Sequence, residues 1–120
     1  MPGKKKTTAK KSKKTTRRSK AELDALVEEA TIDAYGDEEQ LMGLFSMIEE
    51  NFALPFETTV LGVTVEVEKV DLVGRVGGYI VAICKRGRHL QAIPITTLPL
   101  PSRRPEGAEW IDAYRHWLGE

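Results

Sequence analysis

Between Ala21 and Glu50 the sequence places ten carboxylates and not one Lys or Arg: Glu22, Asp24, Glu28, Glu29, Asp33, Asp37, Glu38, Glu39, Glu49 and Glu50. Carboxylate oxygens are hard ligands, and a set of them suits Ca2+, which takes six to eight oxygens at about 2.3–2.6 Å. Surface helices ordinarily mix signs, because Glu–Lys pairs four residues apart contribute about 0.2–0.5 kcal/mol and like pairs cost as much. Asp24 with Glu28, Glu29 with Asp33, and Asp33 with Asp37 all stand at the repulsive spacing. Asp37, Glu38 and Glu39 open a predicted helix, where the helix dipole welcomes negative charge. Asp33, Glu49 and Glu50 fall at helix ends of the opposite polarity, so they oppose both the dipole and their neighbours. A divalent cation would relieve that repulsion. A helical hairpin folded at Tyr35-Gly36 brings Asp33, Asp37 and Glu38 together and sends Glu49 and Glu50 to the other end, near Glu22 or Asp24. Two clusters are therefore expected rather than one. No D-x-[DN]-x-[DN]-G loop is present, which excludes an EF-hand.

The opposite charge is concentrated at the N-terminus. Residues 1–20 hold ten basic residues and no acid, whereas residues 21–120 hold eight bases against all 18 acids, so a formal net charge of zero conceals halves of +10 and −10. Lys4, Lys5, Lys6, Lys10, Lys11, Lys13, Lys14, Arg17 and Arg18 are candidate contacts to nucleic acid or another polyanion, bound by counterion release without sequence readout. No aromatic residue is interleaved for base stacking. This tail is the basis of an alternative function, a polyanion interaction module. Its other readings are a solubility tail and a partner for the domain's own acidic face.

Other reactive types have plainer explanations. Cys84 lies in the most apolar segment and reads as a buried, inert thiol. A single cysteine allows neither an internal disulfide nor a Cys-based zinc cluster. His89 and His116 lack metal-pair spacing, and Gly77-Gly78 lacks the rest of a phosphate loop. Lys85, Arg86 and Arg88 read as a solvated hairpin tip. With no nucleophile–base arrangement, the expectation is a non-enzymatic protein.

The elements that must position these groups follow from periodicity. Residues 1–18 have too little apolar content to offset chain entropy and are expected to form a disordered basic tail. Residues 19–120 are expected to form one α+β domain. Ser19 and Glu22 have capping-box spacing, and Leu23, Leu26, Val27, Ala30 and Ala34 make one helical stripe. Gly36 is expected to stop that helix in the left-handed region, and Asp37 to cap a second whose stripe is Leu41, Leu44, Phe45, Ile48 and Phe52. After Pro55 the period becomes two: Val63, Val65 and Val67 alternate with polar residues, Gly62 marks a bulge or sharp bend, and Tyr79–Cys84 is the most buried strand. A turn at Lys85–Arg88 leads to a strand over 89–95, an irregular connector over 98–105, and a last helix over about 106–118. The fold expected is thus an N-terminal helical hairpin, a small antiparallel sheet of about four strands and a C-terminal helix. Six residues is the longest apolar run, against roughly 20 for a membrane span, and the basic N-terminus has no apolar stretch of a secretory signal behind it. A cytoplasmic location is expected.

Several strings together resemble the small cyanobacterial calcium-binding protein family. They are Ile32-Asp33-Ala34-Tyr35-Gly36-Asp37-Glu38-Glu39-Gln40, Met42-Gly43, Ile48-Glu49-Glu50 and Leu54-Pro55-Phe56-Glu57-Thr58, with further likeness at Val60–Val65, Val81–Arg88, Ala92–Ile95 and Pro105–Tyr114. The resemblance spans residues 22–118. It implies an α+β domain that binds Ca2+ as a buffer or sensor, with Asp33, Asp37 and Glu38 the first ligands to carry over and Glu49 and Glu50 next. Residues 1–20 are not part of the family pattern; a tail that neutralised the acid face would make Ca2+ binding weaker or salt-dependent.

Overall fold

The computed structural model describes residues 18–74 and 77–120. Except for Arg18, the tail residues discussed above lie outside them. Seven elements follow in order: α1 (Lys20–Ala30), α2 (Gly36–Asn51), β1 (Phe56–Val60), β2 (Val63–Val73), β3 (Tyr79–Arg86), β4 (His89–Pro94) and α3 (Glu109–Leu118). The strands form one antiparallel meander in the order β1-β2-β3-β4, and the fold class is α+β as expected.

Local chemistry explains the boundaries. Ser19 caps α1 through a full capping box: its hydroxyl accepts from the Glu22 N–H, and the Glu22 carboxylate accepts from the Ser19 N–H at 2.8 Å. The helix ends at Ala30, one turn short of the expected stripe through Ala34, and the Thr31 hydroxyl donates to the Val27 carbonyl. Asp33 (φ 62°) and Gly36 (φ 86°) both take the left-handed region in the junction, and Gly36 opens α2 instead of closing α1. Asp37 is not the cap of α2. Tyr35 occupies that position, and the Glu39 carboxylate accepts its N–H at 2.8 Å. A tight hairpin at Leu61-Gly62, with both residues at positive φ, supplies the bend expected at Gly62.

The sheet's bulge lies elsewhere, between Val67 and Lys69 of β2. It matters for packing. Strict alternation would send Val67 and Val70 to opposite faces, yet both are buried, because the extra residue at Glu68 resets the phase. Val67 then packs with Ala82, Cys84 and Leu98, while Val70 joins the larger core of Leu44, Ile48, Ile80, Ile111 and Tyr114. Burial pushes the Cys84 thiol pKa up, consistent with an inert side chain.

Three contacts hold the helices in place. At the α1–α2 crossing, a Cβ on Gly43 would fall on the Ala30 carbonyl oxygen, so only glycine allows this approach. Trp117 Nε1 of α3 donates to Gln40 Oε1 of α2 at 2.8 Å. The buried Tyr114 hydroxyl accepts the Ile80 N–H of β3 at 3.2 Å, and burial raises the phenol's pKa. No helix among the described residues is long and apolar enough to cross a membrane.

Candidate metal site

The acidic residues divide by what they already do. Glu22 and Glu39 are spent on helix starts, as just described. Asp24 is held from both sides: Oδ2 accepts from Lys20 Nζ at 2.9 Å, and Oδ1 lies 2.7 Å from His116 Nε2 of α3. Asp24, which the hairpin reading set with Glu22 as a possible neighbour of Glu49 and Glu50, is thus already engaged by two other side chains. The remaining seven, Glu28, Glu29, Asp33, Asp37, Glu38, Glu49 and Glu50, are exposed. None pairs with a cation among the described residues.

Their placement follows the two helices. Asp33 sits in the α1–α2 junction, and Asp37 and Glu38 in the first turn of α2, a position the dipole favours. Glu49 and Glu50 lie in the last turn of α2, and neither α1 nor α2 has a basic residue in its last turn. Twelve residues separate Asp37 from Glu49, about 18 Å along a helix rising 1.5 Å per residue. One ion cannot bridge that span, so the two ends of α2 are separate candidate positions. Among the described residues, no three His, Cys, Asp or Glu side chains are gathered closely enough to hold a metal ion. The donors have the right chemistry for a hard cation, but they are not preassembled around a point.

The Asp24 bridge has a pH signature. The hydrogen bond from His116, then that from Lys20, lowers the Asp24 carboxyl below its ordinary value. A depressed folded-state pKa contributes stability above the unfolded value, near pH 4, and that contribution is lost as pH falls through the folded value. Asp24→Asn should therefore lower the melting temperature at pH 7 and flatten its decline below about pH 4. Melting curves from pH 2.5 to 7 check this; parallel wild-type and variant profiles would contradict the bridge.

A second charged cluster escaped the sequence reading. Arg104, in the connector before α3, grips Asp112 with both terminal nitrogens (Nη1–Oδ2 2.9 Å, Nη2–Oδ1 2.8 Å), and Arg18 Nη1 lies 3.4 Å from the same carboxylate. The Asp112 carboxylate raises the Arg104 pKa further. Arg18, counted above with the tail, thus meets the folded domain. Arg18 and Asp112, 94 residues apart, leave no local pattern by which their contact could have been found.

No protein-family model matches the chain, and no curated protein matches it. A solved structure does: the crystal structure of Anabaena CcbP, with a TM-score of 0.68 over 89% of this chain and 96% of that chain. The fold is that of Anabaena CcbP. Sequence identity is 16%, so this likeness shows the fold alone. It bears out the architecture implied by the resemblance to the cyanobacterial calcium-binding family. In this CcbP-like fold the family-like string Ile32–Gln40 forms the α1–α2 junction and the first turn of α2.

Proposed function

We propose that the chain binds Ca2+ through the exposed carboxylates of its helical hairpin, as a non-enzymatic cytoplasmic buffer or sensor. The observation that carries this reading is the α1–α2 junction: Asp33 in the turn and Asp37 and Glu38 in the first turn of α2 are exposed without a cationic partner among the described residues. It is supported by the fold shared with Anabaena CcbP and by the motif resemblance at the same residues. Glu49 and Glu50, exposed at the negative pole of α2, are the second position.

Because the carboxylates are not preassembled, binding has to order their side chains around the ion. That places the affinity at the weak end of protein calcium sites, with Kd on the order of 0.1–1 mM. Exposed charges also make it sensitive to ionic strength. A buffer working at high ion load suits such a site better than a sharp switch.

Thermal unfolding with added Ca2+ or Mg2+ tests the reading. A ligand of the folded state at a hundredfold excess over Kd adds about 2.7 kcal/mol, on the order of 10 °C for a domain of this size. Mg2+ demands tight octahedral geometry and sheds water reluctantly, so it should shift the midpoint much less. Equal shifts from both ions would reduce the effect to general screening, and no shift at 10 mM Ca2+ would remove the reading.

A further inference from the structure

A groove of about 660 Å³ runs between the 98–104 connector and α3 and reaches Arg18 and Leu23 at the start of α1. Its charge runs against the domain's. Three arginines from three parts of the chain line it, Arg18, Arg104 and Arg115, with His116 beside them and only Asp112 and Glu120 opposing. Asp112 fixes Arg104 by its two-pronged contact and draws in Arg18, so the guanidinium groups are oriented before any ligand arrives. Arg115 is anchored by donating from Nη2 to the Thr96 carbonyl at 2.6 Å. The guanidinium of Arg115 is thereby held at the groove wall beside the other two. Its Nε is buried and has no hydrogen-bond partner among the described residues. Leu23, Leu98, Leu100 and Pro101 give the groove an apolar wall.

We propose that this groove binds a small organic oxyanion, a phosphate or carboxylate group carried on an apolar body. The oxyanion meets Arg115 and the Asp112-oriented arginines, and the apolar body lies on the Leu98–Pro101 wall. The site does not rest on Ca2+ binding: it uses cations and none of the carboxylates proposed for the ion.

The test is a titration of the 15N-labelled full chain with phenyl phosphate, benzoate and inorganic phosphate, followed by amide shifts. Saturable shifts over residues 98–104 and 112–118, with phenyl phosphate or benzoate about tenfold tighter than inorganic phosphate, support the site; the tighter of the two organic probes assigns the head group. Arg115→Gln should weaken binding about tenfold or more. If that variant loses its dispersed spectrum, Arg18→Gln, at the groove's rim and outside every helix, serves instead and should weaken binding severalfold. Shifts confined to residues 1–17, which carry eight Lys and Arg residues of their own, would overturn the proposal. So would affinities unchanged in a folded Arg115→Gln or Arg18→Gln chain.

Discussion

Replacing Gly107 by alanine is expected to destabilise the domain by about 4 kcal/mol. Gly107 is buried in the turn before α3 with φ 89°, a region where an L side chain is strained by about 1–3 kcal/mol. A Cβ there would also strike backbone: it would overlap the Asn51 carbonyl and come within 2.7 Å of Phe52 Cα. Backbone at a helix end cannot swing aside like a side-chain tip, and overpacking of this kind costs about another 1–3 kcal/mol. The neighbouring bond from the Ala53 N–H to the Glu106 carbonyl, 2.8 Å, ties the same two segments and would be pulled apart. Gly36→Ala is the control. Its φ of 86° carries the strain, but nothing lies within 4 Å of the added methyl, so a loss of about 1 kcal/mol is expected. Urea denaturation separates the two, and equal losses would show that the close approach at Gly107 is not a constraint.

The second large effect concerns the carboxylates themselves, and its sign differs between the two ends of α2. The triple variant Asp33→Asn, Asp37→Asn, Glu38→Gln should weaken Ca2+ binding at the junction at least about tenfold, since a hard dication loses three anionic ligands. Asn tolerates the left-handed region, so the turn at residue 33 survives the change. Without Ca2+ this variant should be slightly less stable, because Asp37 and Glu38 favour the positive pole of α2. Glu49→Gln with Glu50→Gln should do the reverse. These residues oppose the negative pole, so removing their charge should stabilise the ion-free domain by about 0.5 kcal/mol while reducing Ca2+ uptake. Melting temperatures with and without Ca2+ give both signs. If both variants lose stability equally in the absence of the ion, electrostatic strain does not explain the acidic hairpin.

Much of this frame was legible in local sequence. The Ser19–Glu22 box forms as its spacing requires, the Val63–Val67 alternation becomes half of β2, and the apolar run Tyr79–Cys84 lies in the centre of the sheet. These features depend on neighbours within a turn or a pleat. What was not legible depends on contacts between distant segments. The bulge at Glu68 is needed to bury both Val67 and Val70, a demand set by what packs on the sheet, Leu98 of the connector over Val67 and the helices over Val70, rather than by the strand's own residues. In the same way, Gly107 reads as an ordinary turn glycine until α2 is laid against it. The candidate site divides along the same line. That Ala21–Glu50 lacks cations could be counted, and Asp33, Asp37, Glu38, Glu49 and Glu50 indeed stand exposed without pairing among the described residues. That Asp24 is claimed by His116, 92 residues away, could not be. The Arg104–Asp112 grip and the groove beside it were likewise invisible until α3 was placed.

Calorimetric titration of the full chain with Ca2+ at low ionic strength, repeated with the Asp33, Asp37 and Glu38 variant, reaches the central claim most directly. The expected result is a saturable isotherm with Kd on the order of 0.1–1 mM, displaced to weaker binding in the variant and by added salt. An isotherm with no heat beyond dilution at 10 mM Ca2+, or one identical in the variant, would contradict it.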